Sequence, residues 1–466
     1  MHDGLTLGDF TGYTRFSNFK KGNVADPMKY RGVHLTSVLS KCVERVLASA
    51  ILPYFSATRA YGMSQWAYQR DLSGRDMLAY RTSKWLLLLE RGKTIGLLLS
   101  EISGAFDRGE TSRLLDKPRR TGINQTALDF FRSYLERRSG VVTVGGSQSD
   151  TICLADMVFQ GTVLGPPLWN IFAADVERVV EASGSEAAVF ADDMNVFKEC
   201  DGGRPNDSIV ASMQAVQGQM HLWGRINQTV FDPAKEHIVV LHHANPYGEK
   251  FKLYGIVFDP KLIMDAAVDA AVGKASAKLT ALLRARGSMS KASLVRSYTA
   301  HVLCLLEQGT PAWYHASNTV LRRLDLVQCR FLREIGITES DAFLMFNLAP
   351  LTLRRDVAML GFLFRCHRGW VHASCSNMFP KAPAAPYLTR RQAKLHSCQL
   401  AETTGHTEIF ARSVFGLVHA WNSLSQDAVN CPTVSAFQKF LTKATREARS
   451  TGLENFSDIF SPRATL

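Results

Sequence analysis

An acidic pair, Asp192-Asp193, stands between two short apolar stretches, Ala187 to Phe190 and Met194 to Phe197. Apolar residues on both sides of Ala191-Asp192-Asp193 read as a tight β-hairpin that holds both carboxylates at its turn, within reach of a divalent cation. Alone, the dipeptide also fits a solvated turn, because aspartate is a common turn residue. Its company is more informative. Upstream lies Gln160-Gly161-Thr162-Val163-Leu164-Gly165-Pro166-Pro167-Leu168-Trp169-Asn170, a Gly-rich loop opening a helix. Further back, Glu101-Ile102-Ser103-Gly104-Ala105-Phe106-Asp107 follows the aliphatic run Ile95 to Leu99, which reads as a strand buried on both faces with Glu101 just past its end.

At 466 residues with 46% hydrophobic content, the chain is long enough for two or three structural units with sizeable cores. A net charge of +12 fits a polyanionic partner and does not by itself identify one. The nine cysteines are scattered, with no Cys-x-x-Cys pair, which speaks against a zinc knuckle and for reduced thiols in an intracellular compartment. The longest apolar runs fall far short of the roughly 18 residues of a membrane span, and Met1-His2-Asp3-Gly4 opens no secretory signal.

Thr36 or Ser37 can cap a helix whose apolar stripe is Val38, Leu39, Cys42, Val43, Val46 and Leu47, with Lys41, Glu44 and Arg45 facing out. Tyr61 to Arg70 mixes aromatic and basic residues, a composition that suits both base stacking and an ordinary packed loop. A second helix runs through Met77, Leu78 and Trp85 to Leu89. Leu114 to Leu135 is broadly helical, Val141 to Val144 ends in a hairpin-like turn at Gly145-Gly146, and Leu168 to Val180 and Met213 to Trp223 are further helices. Ile238 to Leu241 and Phe251 to Phe258 are the last strand signals. This alternation indicates a split β-α-β, ferredoxin-like sheet with helices on one face, in an α+β protein.

From about residue 263 the pattern is helical. Lys274, Lys278, Arg284 and Arg286, and then Arg322, Arg323, Arg330 and Arg333, lie off the apolar faces. They fit phosphate contacts along a duplex or a solvated surface. Prolines 380, 383 and 386 read as a semi-rigid linker, followed by a small helical appendix.

These pieces together resemble a reverse transcriptase of the non-LTR, LINE-like retrotransposon class, most similar within it to dinoflagellate sequences. The resemblance rests on Phe19-Lys20-Lys21-Gly22 with Lys29 to Ser37 at the start of the fingers, and on Glu101 to Asp107, Gln160 to Asn170 and Phe190 to Asp193 at three motifs of the palm. Lys235 stands at the fourth motif, Leu253-Tyr254-Gly255 at the primer-grip turn, and Arg412-Ser413-Val414-Phe415 with Trp421 to Leu424 at the tail. It implies a right-hand polymerase: fingers over 1–94, ferredoxin-like palm over 95–262, helical thumb and connection over 263–379, linker over 380–395 and a helical C-terminal segment over 396–466.

The implied activity is RNA-directed DNA polymerase, joining dNTPs to a DNA primer on an RNA template. Two Mg²⁺ ions, or Mn²⁺ in their place, would be held by Glu101, Asp192 and Asp193, about 3.5 to 4 Å apart. Arg31, Phe106, Gln160, Gly161 and Lys235 would line the nucleotide site, with Arg31 at the triphosphate, Phe106 excluding a 2′ hydroxyl and Lys235 supporting the leaving group. Asp107 fits a helix cap as well as a ligand. The family implies a nuclear site of action; the stretch before residue 18 is too short for an endonuclease and the tail too poor in acids for an RNase H domain.

The chain departs from the family where Glu101 replaces aspartate, where Trp66 replaces phenylalanine and over Gln69 to Arg75. The added methylene of Glu101 displaces a carboxylate at the reacting centre, which supports a second reading: a catalytically defective relic of the same fold that still binds primer and template. An RNA-directed RNA polymerase is a third reading, which Phe106 opposes.

Overall fold

The computed structural model describes residues 12–19, 23–26, 30–105, 110–136, 138–144, 146–154, 158–383 and 396–463. The chain folds into two compact units, the first built from 1–69, 96–198 and 207–238 and the second from 70–95, 199–206 and 239–466.

In the first unit, strands β1 (Gly12–Phe19) and β2 (Tyr30–Leu35) pair antiparallel, and β1 runs parallel to β4 (Arg138–Val144). β4 in turn carries β5 (Ser147–Gln148) across a tight antiparallel turn, the hairpin expected at Gly145-Gly146, and also β6 (Ile152–Leu154). The region read as one helix over Leu114 to Leu135 is two, α3 (Thr111–Arg120) and α4 (Gln125–Leu135), because Gly122 turns the chain at φ +84° and Asn124 caps the second helix. The helix expected over Leu168 to Val180 is likewise α5 (Gly165–Ala173), with prolines in its first turn, and α6 (Val176–Ala182).

The palm-type sheet is built from β3 (Lys93–Ser103), β7 (Glu186–Phe190), β8 (Asp193–Asp201) and β10 (His237–Leu241), in the order β10-β3-β8-β7. Helices precede β7 and follow β8 as α7 (Asn206–Ile226), which gives the split β-α-β, ferredoxin-like arrangement. β3 is longer than its aliphatic core implies: it continues to Ser103, where β9 (Val230–Phe231) pairs with its end, so Glu101 lies within the strand and not past it.

Helix α1 (Val38–Ala57) has the expected Ser37 cap, Ser40 N–H donating to Ser37 Oγ at 3.0 Å, and the opposite orientation. Val38, Leu39 and Val46 are 80%, 53% and 69% exposed, whereas Ser40, Glu44, Ala48 and Phe55 are buried. The cause is the partner. Backbone N–H groups at a helix start lack intrahelical acceptors, and Glu44 accepts from those of Val163 at 2.7 Å and Leu164 at 3.1 Å, at the start of α5. A carboxylate answering two such donors is well placed in the interior; an apolar side chain there would leave both unmet.

Tyr61 and Trp66 are core residues, so the packed-loop reading holds for them, while Tyr68 is exposed. Residues 64–67 run beside β7: Trp66 N–H donates to Val189 C=O and Val189 N–H to Ser64 C=O, both at 2.8 Å.

In the second unit, helix α2 (Gly74–Glu90) starts at a Ser73 cap and buries Trp85, whose ring meets Phe251 and Phe258 edge-on. The stretch Phe251 to Phe258 is a hairpin and not one strand: β11 (Phe251–Leu253) and β12 (Ile256–Phe258) flank Tyr254 and Gly255, both at positive φ. Two successive left-handed residues make the tight turn that matches strand twist. Beyond it all named elements are helical, led by α8 (Asp265–Leu283), with Ala267, Val268, Ala271, Ala275, Leu279 and Leu283 inward. Of the arginines offered for phosphate contact, Arg323 is engaged by Asp269 at 2.6 Å and by Asp265. Ala382 N–H donates to Gln399 C=O and Ala401 N–H to Pro380 C=O, pinning the first part of the expected linker; residues 384–395 lie outside those described. The C-terminal segment shares a core with the helices before it: Phe437, on the helix Val434–Ser450, stacks on Phe364 with centroids 4.6 Å apart, and Trp421 is fully buried. No helix among the described residues is long and apolar enough to cross a membrane.

Candidate active site

The β7–β8 hairpin closes with Phe190 opposite Asp193, leaving Ala191 and Asp192 as its two-residue turn. Ala191 adopts φ +61° although it has a Cβ, a left-handed conformation that costs roughly 1–2 kcal/mol and needs external support. The support is explicit. Ala191 N–H donates to Gln65 Oε1 at 3.0 Å, and Ala191 C=O accepts from Trp169 Nε1–H at 3.1 Å. Gln65 Oε1 also accepts from Trp66 and Ala67 N–H, and Asn170, next to Trp169, donates to Ala67 C=O at 2.8 Å. One polar net from residues 65–67 and α5 therefore fixes the turn that carries the acids.

Alongside lies β3. Ile102 N–H donates to Asp192 C=O at 3.2 Å, which sets Glu101 beside the hairpin. Glu101 Oε1 is paired with Lys235 Nζ, and Lys235 also lies 3.8 Å from Asp232. The backbone of the Lys235 turn is tied to the same strand, since Asp232 N–H donates to Glu101 C=O at 2.9 Å. The acids feel one another: burial, then the charges of Asp192 and Glu101, push the Asp193 carboxyl up to about 6, with Lys235 opposing. Among the described residues no three His, Cys, Asp or Glu side chains close into a ready metal cage. The donor set is nonetheless all hard oxygen, the kind that takes Mg²⁺, and its crowded negative charge is of the sort a cation relieves.

Behind this layer stands Glu236, whose side chain is 6% exposed. It accepts from Ser100 Oγ–H at 2.7 Å and Gln217 Nε2–H at 2.8 Å, and contacts His221 Nε2 at 2.9 Å, fastening β3 to α7 one residue before Glu101 and one after Lys235. Gln160 and Gly161 sit at a second junction. His34 N–H donates to Gln160 C=O at 3.0 Å, and Gly161 has φ +94°, with a Cβ placed there only 2.7 Å from His34 C=O. Only glycine fits that close approach to β2.

Arg31 pairs through its backbone with Asn18, and its side chain lies outside the described residues, as do Phe106 and Asp107. Leu253, Tyr254 and Gly255 form the β11–β12 turn of the second unit. The structure thus brings together Glu101, Asp192, Asp193 and Lys235, and adds Gln65, Trp169 and Glu236. Trp169 falls within the Gly-rich segment, and Glu236 adjoins Lys235; Gln65 is marked by nothing local.

Residues 19–229 match the family model described as reverse transcriptase (RNA-dependent DNA polymerase). Over those residues the chain is similar to a reverse transcriptase domain. Similar curated proteins are the RNA-directed DNA polymerase from mobile element jockey of Drosophila funebris, 25% identical over 329 residues covering 67% of this chain and 36% of that protein, and its Drosophila melanogaster counterpart, 26% identical over 342 residues with the same coverage. The probable RNA-directed DNA polymerase from transposon X-element of Drosophila melanogaster is 24% identical over 352 residues, covering 72% of this chain and 38% of that protein. The chain thus spans a little over a third of the length of these relatives. Among solved structures, apo telomerase from Candida tropicalis aligns at 11% identity and TM-score 0.44, covering 99% of this chain and 70% of that one. The resemblance to non-LTR reverse transcriptases is borne out by these relatives; none is a dinoflagellate sequence. The matched residues include Gln65, Glu101, Trp169, Asp192 and Asp193, and Asp232, Lys235 and Glu236 lie just beyond them.

Proposed function

We propose that the chain is an RNA-directed DNA polymerase, extending a DNA primer with dNTPs on an RNA template by two-metal nucleotidyl transfer. The observation that carries this is the meeting of Glu101, Asp192 and Asp193 at a hairpin turn whose conformation is held by Gln65 and Trp169. Glu101, Asp192 and Asp193 would hold two divalent cations, Mg²⁺ or Mn²⁺, which supply acidification of the primer 3′ hydroxyl and charge stabilisation at the triphosphate. Lys235, 51% exposed and able to leave Glu101, would turn to the leaving group. Gln160 and Gly161 would line the nucleotide pocket; Arg31 at the triphosphate and Phe106 against the 2′ position rest on the resemblance, as do the primer grip at Leu253, Tyr254 and Gly255, the division into fingers, palm, thumb, linker and tail, and a nuclear site of action.

The pairing of Glu101 with Lys235 favours one competing reading, a relic that binds primer and template without polymerising, because that ligand position is occupied by an internal cation. Extension of a DNA primer on an RNA template with Mg²⁺ separates the two, comparing the natural chain with Glu101→Asp and Asp192→Ala. Extension by the natural chain, lost in Asp192→Ala, is the expected result. Extension by Glu101→Asp alone identifies the relic, and extension that survives Asp192→Ala removes the hairpin from the mechanism.

A further inference from the structure

The second unit contains a cavity of about 400 Å³ lined on one side by Arg75, Thr310 and Arg354 and on the other by the helix Val434–Ser450. Its lining carries five cations, Arg75, Arg354, Lys439, Lys443 and Arg446, and a single carboxylate, Glu307. That carboxylate is already neutralised, since Arg354 grips it with Nε and with a second nitrogen at 3.2 Å. Arg75 is tied only to a neutral acceptor, Glu307 C=O at 3.2 Å, and Arg446 likewise to Leu344 C=O at 2.7 Å. Lys443 faces Glu447 at 3.6 Å, both side chains being largely exposed, a geometry worth little. Lys439 makes no hydrogen bond or ion pair among the described residues.

A second observation points into the same space. Thr310 is 1% exposed, lines the cavity, and its Oγ1 has no hydrogen-bond partner. Buried hydroxyls are normally satisfied, so one left open in a cationic cavity is a donor awaiting an acceptor. Phosphate oxygens supply that acceptor and suit a lining in which no carboxylate pairs with Arg75, Lys439 or Arg446.

We infer that this cleft binds the phosphate backbone of a single nucleic-acid strand, as a site separate from the acidic hairpin. Lys439 and Arg446, seven residues apart on one helix face, are separated by about 10 Å at 1.5 Å per residue. A separation of that order brings the two cations to neighbouring phosphates of one strand. A duplex does not fit a space of this volume. The inference goes beyond the polymerase reading and does not require it.

The test uses the full chain and a fluorescent single-stranded RNA of mixed sequence, with binding measured from low to moderate salt for the natural protein, Lys439→Glu/Arg446→Glu and Thr310→Val. Two lost phosphate contacts make the slope of log affinity against log salt shallower by about 1.4, at roughly 0.7 per contact. Thr310→Val weakens binding with the slope unchanged, since an uncharged donor releases no counterion. Thermal melting confirms that the variants fold; Lys439 and Arg446 are exposed, so their replacement leaves the core intact. An unchanged slope in the double variant overturns the proposal. So does displacement of inorganic tripolyphosphate by the substitutions with no effect on RNA, which assigns the cleft to a small polyphosphate. Primer extension in the same samples reads the hairpin independently: no extension with the slope change intact sinks the polymerase reading and leaves the cleft standing.

Discussion

Glu44 and Asp193 are both acids withdrawn from solvent in the first unit, and their surroundings differ in kind. Glu44 is fully buried and meets two backbone N–H donors. Asp193 is partly buried beside two further carboxylates and one lysine, and burial first, then the charges of Asp192 and Glu101, raises its proton affinity. Glu177 and Glu236 belong with Glu44: the former accepts from Met63 N–H and Ser64 Oγ–H, the latter from Ser100 and Gln217. Burial alone therefore does not mark a reactive acid. An acid whose partners are donors is a fastening, and an acid whose partners are other acids is a site that gains from a cation.

Substitution can break this contrast at either end. The largest effect is expected for Asp192→Ala, which should reduce primer extension by at least about 10²-fold, on the scale of losing one preorganised charge-stabilising group, while leaving the urea midpoint nearly unchanged. A large stability loss would place Asp192 with the fastenings. Glu44→Ala should do the reverse, costing about 2–4 kcal/mol by stranding two buried N–H groups, as read from equilibrium urea unfolding. If it costs less than about 0.5 kcal/mol, as for an ordinary surface change, the role assigned to Glu44 is wrong.

A pH series sharpens the comparison further. Asp193 has a folded pKa of about 6, above its ordinary value, so the folded chain binds that proton more tightly than the unfolded chain does. Its contribution is full below the ordinary carboxylate range and is lost as pH rises through 6. Asp193→Asn should therefore be more stable than the natural chain at pH 7.5 in chelator, with the gap closing by pH 4; a pH-independent difference would show that neither burial nor the neighbouring acids raise the proton affinity of Asp193. The smallest effect is expected for Trp169→Phe, which removes the indole donor to Ala191 and should cost about 1 kcal/mol together with a fall in extension. Unchanged activity with that loss would mean the hairpin holds its shape without the bond.

Much of the first unit was legible because its signals are local. The apolar flanks of Asp192-Asp193, the periodicity of α7 and the glycine before the α5 prolines each determine structure within a few residues. The face of α1 was not legible, since its hydrophobic stripe points outward and its orientation is decided by two N–H groups more than a hundred residues away. The same holds for Gln65, which acts on Ala191 across a comparable stretch of sequence. The polar residues Ser100 and Glu101 look like a strand end in sequence, whereas pairing with β9 carries the strand through them. Tyr254-Gly255 carried a turn signal within an apolar run, and the run concealed the hairpin. For the acidic site, identity was readable and support was not.

The division of the chain also limits how it can be taken apart. Its path passes from one unit to the other after residues 69, 95, 198, 206 and 238, so neither unit is a contiguous stretch. A fragment ending near residue 262 keeps α2 and strips away the helices that complete its unit, parting Asp76 from Arg365 and Glu90 from Thr407. Swapping segments between related elements at a single junction meets the same obstacle. The workable module for expression, exchange or selection is the interleaved pair, inherited whole.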